Sequence, residues 1–189
     1  MKAYHFSRET LRNGAPLPAI GEWLEHKGPI IPCQSGLHAS VHPLDALKYA
    51  PGSFLHLVEL EGDLVEHEGD KWVGRRRKIV ASIDATPLLR EFSRWCALQV
   101  IHLWDAPDVV RQYLETGDES IRQDASAATW CAPRSASESA AESAARFSAR
   151  YAARHIAKSA AKYAARSAAF SVTEVPQRRK FKEMVEAAM

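Results

Sequence analysis

Cysteine is scarce in this chain of 189 residues, and the three that are present, Cys33, Cys96 and Cys131, lie far apart. None of them forms a CxxC pair and the number is odd, so the spacing indicates neither a disulfide framework nor a cysteine zinc site. We therefore expect reduced thiols, as in a cytoplasmic protein.

Long apolar runs and several functional motifs are also missing. The first ten residues, MKAYHFSRET, lack the apolar core of a secretory signal, and no run of 18 apolar residues exists. The phosphate loop GxxxxGK[ST], the dinucleotide-binding GxGxxG and the nucleophile elbow GxSxG are absent as well. We therefore expect no membrane contact, and these motifs indicate no cofactor.

Glycine and proline are absent between Pro133 and Pro176, where the sequence repeats every four residues. Residues 135–170 read SASE SAAE SAAR FSAR YAAR HIAK SAAK YAAR SAAF. Alanine is the best helix former, and Arg, Lys and Glu rank close behind it, so this segment predicts a helical rod of roughly 54 Å. A four-residue period drifts by about 40° per repeat around the helix, which excludes a two-stranded coiled coil. The rod is then either one helix that meets different neighbours along its length or two shorter helices.

Charge is distributed unevenly along the chain. Residues 134–189 hold 11 Lys and Arg against 5 Glu, whereas the first 133 residues hold 14 Lys and Arg against 18 Asp and Glu. The basic side chains can keep an Ala-rich helix in solution, bind an acidic protein or the chain's own acidic part, or bind nucleic acid phosphates. The candidate partner-binding residues are Arg146, Arg150, Arg154, Lys158, Lys162, Arg166, Arg178, Arg179 and Lys180.

The first part of the chain carries strand signals and the second part carries helix signals. Alternating apolar residues and turn signals predict strands over 2–7, 37–40, 53–60, 64–67 and 72–82, with a hairpin at Gly69-Asp70. The Gly- and Pro-rich segment 13–36 predicts loops with a turn around Trp23. Helices are predicted over 43–49, 87–104, 107–116 and 121–131, and from Pro176 onward.

This order predicts an α+β fold, in which a small mixed sheet domain precedes a helical region with a long Ala-rich helix. We expect an α+β domain over 1–83, a helical cover over 84–132, and a basic helical arm with a terminal helix over 133–189. In the predicted helix 87–104 the core positions are Leu88, Phe92, Trp95, Leu98, Ile101 and Leu103.

Histidine is frequent enough to raise the question of a metal site. His38 and His42 are four residues apart, but Pro43 follows His42 and His38 lies in a predicted strand, so the two do not share a helix face. Cys33, His5 and His56 are the other available ligands. We predict no metal site, and hydrogen-bonded structural histidines instead.

The segment GLHASVHPLDALKY, residues 36–49, resembles a group of phage and prophage proteins of unknown function. These proteins share the G-(L/F)-H-A…PLD-(A/V)-L-x-Y pattern, a later Gly-Asp and often an Ala/Ser-rich repetitive tail. The resemblance spans most of the chain and implies a viral accessory protein. Such proteins often bind and block a host factor.

The same segment also resembles the poly(ADP-ribose) polymerase-type ADP-ribosyltransferases, in which a strand that begins with Gly precedes a helix that ends in Tyr. Gly36 and Tyr49 match those ends, and YHF at the start of the chain matches the first-strand His. This resemblance implies that His5 and Tyr49 contact NAD. The family's late strand usually carries a catalytic Glu, whereas the corresponding stretch here, DKWVGRRRKIVAS, has none.

Two functions follow as expectations. The first is a phage-encoded protein that binds and blocks a host protein or nucleoprotein complex, such as an antiviral defence system of the kind that anti-CRISPR proteins block, in the host cytoplasm and without a cofactor. The second is a degenerate ADP-ribosyltransferase-like enzyme with His5 and Tyr49 as catalytic residues. Nucleic acid, through the basic arm, and a second copy of the chain are the other partners considered.

Overall fold

The structure is a computed structural model that describes residues 1–11, 13–129 and 174–189. It confirms the α+β class, with two antiparallel sheets and several helices. The chain forms two compact units: the first comprises Met1–Ala85 and Phe181–Met189, and the second comprises Thr86–Lys180. The Ala-rich rod predicted over 135–170 lies outside the described residues.

The larger sheet of the first unit has four strands. They are β1 (Lys2–Ser7), β2 (Trp23–Glu25), β4 (Phe54–Glu61) and β7 (Arg76–Asp84), in the order β1-β4-β7-β2. The strands predicted over 2–7 and 53–60 are thereby confirmed. The turn predicted around Trp23 lies just before it, at Ile20 and Gly21, and Trp23 itself begins a strand that was not predicted. Trp23 pairs with Lys78 and Glu25 pairs with Arg76 along the edge of β7.

The smaller sheet contains β3 (Leu37–Ala39), β5 (Val65–His67) and β6 (Lys71–Gly74), in the order β3-β6-β5. The predicted hairpin at Gly69-Asp70 is confirmed, since β5 pairs antiparallel with β6. An isolated bridge between Tyr4 and Ser40 links β1 to the end of β3, with backbone N···O distances of 2.7 and 2.9 Å.

The single strand predicted over 72–82 is in fact two strands in two sheets. The chain leaves β6 at Gly74 and enters β7 at Arg76. At the crossing, the Arg75 N–H donates to the Gly62 carbonyl at 2.7 Å and the Arg75 guanidinium is bonded to Asp63. Arg75 thus separates the two strands.

An apolar cluster packs between the faces of these strands. It consists of Ala3, Ala39, Val58, Leu60 and Ile79, with Leu37 and Trp72 against it. The helix α1 (Pro43–Lys48) confirms the prediction for 43–49. Its N-terminus is capped by His42, whose Nδ1 accepts the Leu44 N–H at 3.1 Å, so this histidine has a structural role.

The second unit contains α2 (Thr86–Leu98), a 3₁₀ turn (Ile101–Leu103), α3 (Asp108–Thr116) and α4 (Arg122–Ala128). The predicted helix 87–104 is too long, since α2 ends at Leu98. Leu88 and Phe92 are buried as predicted, but Trp95, Leu98, Ile101 and Leu103 are only partly buried. The other buried apolar side chains of this segment are Leu89, Cys96, Ala97, Val100 and Trp104.

The remaining helices can be compared with the bounds that the sequence predicts for them. Gly117 follows α3 with φ 69° and ψ 20°, the left-handed conformation that ends a helix, as its position predicts. The helix predicted over 121–131 is shorter, and residues 130 and 131 lie outside the described part. The terminal helix, α5 (Glu174–Ala188), buries Gln177, Phe181 and Val185 along one face.

Candidate functional site

Two histidines face each other across neighbouring strands of the first unit. The antiparallel register of β1 and β4 places His5 opposite His56. Directly opposed residues in such a pair lie on the same face of the sheet. Their ring centroids are 6.2 Å apart, with 23° between the ring planes.

Arg77, from β7, completes this site together with the backbone of β3. Its side chain is buried, and Nη1 donates to the carbonyl of His38 at 2.6 Å. The His5 ring also hydrogen-bonds the His38 backbone. Because β3 lies at an edge of its sheet, the His38 carbonyl is available to accept hydrogen bonds from side chains rather than from a neighbouring strand. We refer to His5, His38, His56 and Arg77 as the His–Arg cluster.

The electrostatics of the His–Arg cluster favour neutral imidazoles around one cation. Burial first, and then the charge of Arg77, lower the pKa of His5 well below its usual range and the pKa of His56 to about 4. Burial also lowers the pKa of His38, with Lys71 and Arg77 contributing. The pKa of Arg77 falls to about 10 through burial alone, so it is still protonated at neutral pH.

The hydrogen bonds of Ser7 fix the tautomer of His56. The Ser7 hydroxyl donates to the Arg8 carbonyl at 2.6 Å, so its oxygen accepts a proton from His56 Nε2 at 2.8 Å. The other ring nitrogen, Nδ1, is then a bare acceptor. It is buried and has no hydrogen-bond partner among the residues that the structure describes.

Tyr49 lies beside a different group of side chains. Its hydroxyl donates to the Asp70 carboxylate at 3.0 and 3.1 Å, and the Lys71 ammonium lies 4.2 Å from its ring centroid. Lys71 also donates to Cys33 Sγ at 3.0 Å. Burial and the bond to Asp70 raise the pKa of Tyr49, so the phenol is the donor.

The two predicted catalytic residues, His5 and Tyr49, therefore have different neighbours. His5 contacts His56 and the His38 backbone, whereas Tyr49 contacts Asp70 and Lys71. The connection between the two groups is electrostatic: the charge of Lys71 acts on the His38 imidazole.

The three arginines that replace the expected glutamate have separate environments. Arg75 pairs with Asp63 at 2.6 Å. Arg76 lies 3.6 Å from Glu61, with its guanidinium carbon 4.5 Å from the centroid of the Trp23 ring. Only Arg77 points into the buried cluster beside His5.

The predicted partner-binding residues are described only in part. Arg178, Arg179 and Lys180 lie on α5, with Arg179 exposed and the other two partly buried. The remaining six, Arg146, Arg150, Arg154, Lys158, Lys162 and Arg166, lie outside the described residues.

Sequence reasoning missed two members of the site. It considered His56 only as a metal ligand and Arg77 only as a departure from a resembled family. The available signal was a polar residue within the apolar strand SFLHLVEL, residues 53–60. Over the described ranges, no three His, Cys, Asp or Glu side chains are placed to hold a metal ion.

The first part of the chain is similar to a known protein family. No curated protein and no solved structure matches this chain. Among the described helices, none has the length and apolar character needed to cross a membrane. Residues 1–91, which contain the whole His–Arg cluster, match the protein family described as a domain of unknown function (DUF7666).

Proposed function

We propose that this protein is a phage-type accessory protein that binds and blocks a host macromolecular complex in the cytoplasm, such as an antiviral defence system. The observation that favours binding over group transfer is the position of Arg77. ADP-ribosyl transfer develops positive charge on the sugar, and a buried guanidinium beside His5 would oppose that charge. The site thus suits an anionic group better than a cationic transition state.

The uneven charge supports an acidic partner. Residues 134–189 carry an excess of six positive charges, and Arg179 presents one of them on the exposed side of α5. Charges of one sign on a surface increase the rate of encounter with an oppositely charged partner and favour the correct orientation. The proposal therefore assigns the contact to the basic arm and α5.

A pull-down with the full chain from bacterial lysate, with and without nuclease, tests this proposal. We expect a stoichiometric protein or nucleoprotein complex that survives nuclease. With that complex purified, replacing Arg146, Arg150, Arg154 and Lys158 with Gln should weaken binding by about tenfold or more, because four charge contacts at several tenths of a kcal/mol each approach 1.4 kcal/mol or exceed it.

The matched control replaces three exposed cations of the first unit, Lys2, Arg8 and Lys27, with Gln. This control should change affinity by less than about twofold. Equal affinity of wild type and the four-residue variant would refute the role of the arm. Recovery of nucleic acid alone, lost as salt increases, would identify the arm as a phosphate-binding surface instead.

The second candidate is an ADP-ribosyltransferase-like enzyme that uses NAD, which requires His5 and Tyr49 to act on one ligand. The charge of Lys71, which lies over Tyr49, acts on His38, whose carbonyl also accepts the Arg77 N–H. Under this alternative, His5→Ala and Tyr49→Phe should each reduce NAD turnover by about a hundredfold, whereas exposed His102→Ala should not. Absence of NAD turnover in the wild type would exclude it.

A further inference from the structure

We infer that the His–Arg cluster is a binding site for an oxyanion that carries an O–H group, with phosphate, free or as a monoester, as the ligand class. The inference comes from two groups whose bonding capacity is unused in the structure, one a cation and one an acceptor. It does not depend on the proposed host partner, because every residue involved lies within the first unit.

The first group is the Arg77 guanidinium. A guanidinium has five N–H donors, and Arg77, only 9% exposed, uses Nη1 for the His38 carbonyl. Over the described residues, no carboxylate pairs with it, and burial alone accounts for its lowered pKa. A charge that is this little exposed is stabilised by a counter-charge, so an anion at this position would pair with a cation that no carboxylate of the described residues neutralises.

The second group is Nδ1 of His56, which is 1% exposed. The Nε2–H of His56 donates to the Ser7 hydroxyl oxygen, so Nδ1 carries no hydrogen and can only accept a hydrogen bond. A fully deprotonated anion offers no hydrogen for such an acceptor. A phosphate that retains one proton satisfies both groups, because its oxygens accept from Arg77 while its O–H donates to His56.

The surroundings of the His–Arg cluster fit a small anion. His5 is neutral and only partly buried, and His38 is also partly buried, so the cluster extends from the protein interior to its surface. His38 Nε2 is a further buried nitrogen without a partner in the described part of the chain. Arg77 supplies a buried positive charge and the charge of Lys71 also acts on His38, so the site favours a small anion.

Thermal unfolding of the full-length protein in increasing inorganic phosphate, at constant ionic strength, tests the inference. We expect a saturable rise in Tm, about 4 °C at about twenty times Kd for a chain of this size. Arg77→Met should abolish the rise, and Arg77→Lys should retain part of it. Arg76→Met is the control, since its guanidinium lies on the neighbouring position of the same strand against Trp23, and it should respond as the wild type does.

Two further anions identify the ligand. Sulfate, which carries no proton at neutral pH, should bind at least about threefold more weakly than phosphate, because His56 Nδ1 then stays unpaired. Methyl phosphate is compared with phosphate at a pH of about 5.5, where the ester keeps its O–H because its second pKa is about 6. Tighter binding than phosphate would then indicate an ester ligand, and weaker binding would indicate free phosphate. Either result supports the site. A wild type that shows no saturable response, or an Arg77→Met variant that retains it, would overturn the inference, as would equal binding of sulfate.

Discussion

At the scale of single residues, His56 shows how a polar group in an apolar strand acquires its properties. The sequence SFLHLVEL predicts the strand correctly, and alternation alone places His56 on the same face as Val58. Its partner His5 is 51 positions away in the sequence, and Arg77 comes from a third strand. No local pattern encodes the register that joins them, so the His–Arg cluster could not be predicted from the sequence.

The neutral state of His56 makes stability depend on pH. Its pKa is about 4 when folded, against an ordinary value of 6.5. The unfolded chain therefore binds more protons between these two values, and stability falls as pH decreases from about 6.5 to about 4. This difference corresponds to about 3 kcal/mol for His56, and the lowered pKa values of His5 and His38 act in the same direction.

Urea unfolding at a series of pH values measures this effect. His56→Gln, which keeps a neutral donor for Ser7, should reduce the slope of unfolding free energy against pH in this window. Exposed His102→Gln should leave the slope unchanged. A His56→Gln variant with the wild-type slope would show that this imidazole is not held neutral in the folded state.

At the scale of secondary-structure elements, the sequence predicts what is periodic and misses what depends on pairing. β1, β4, α1 and α3 follow from alternation, proline at a helix start and glycine at a helix end. β2 was missed because three residues, Trp23–Glu25, give no period among so many Gly and Pro, and only pairing with β7 makes them a strand. The break between β6 and β7 does have a signal, because Gly74 and the basic residues 75–78 stand between the apolar residues Val73 and Ile79, but a glycine within a strand also fits a bulge in a single strand.

Gly74 is the position at which the change of sheet can be tested. A Cβ built there would lie 2.8 Å from Leu64 Cδ2 and 2.9 Å from Leu60 Cγ, and Leu60 is fully buried. We expect Gly74→Ala to destabilise the fold by about 1–3 kcal/mol in chemical denaturation, although Ala is ordinarily favoured over Gly.

A double-mutant cycle identifies the cause. Leu64→Ala, at an exposed side chain, should cost little by itself and should reduce the cost of Gly74→Ala by making room for the new methyl group. Gly69→Ala is the comparison, since a Cβ at this position meets no atom within 4 Å. Its loss of stability should come from the backbone angle φ of 72°, and Leu64→Ala should not change it. If Leu64→Ala leaves the cost of Gly74→Ala unchanged, crowding against Leu64 is not its source.

At the scale of the whole molecule, the two ends of the chain belong to the same unit. Phe181–Met189 group with Met1–Ala85 although almost a hundred residues separate them in sequence. The sequence predicts α5 as a helix from Pro176 onward, but nothing in its composition indicates which unit it stabilises. Phe181, the first residue of the segment grouped with the strands, is fully buried.

The first unit should therefore depend on the last residues of the chain. Truncating a buried aromatic side chain removes its contacts and leaves a cavity, so Phe181→Ala should cost about 3–5 kcal/mol. Val175→Ala, on the same helix but at a side chain that is 71% exposed, should cost less than about 0.5 kcal/mol. Hydrogen exchange shows which part of the protein loses stability. Amides of β1 and β4 should exchange faster in the Phe181→Ala variant than in the wild type. Unchanged exchange in these strands would mean that the sheet of the first unit is stable without the terminal helix, and that Phe181 stabilises only the helix itself.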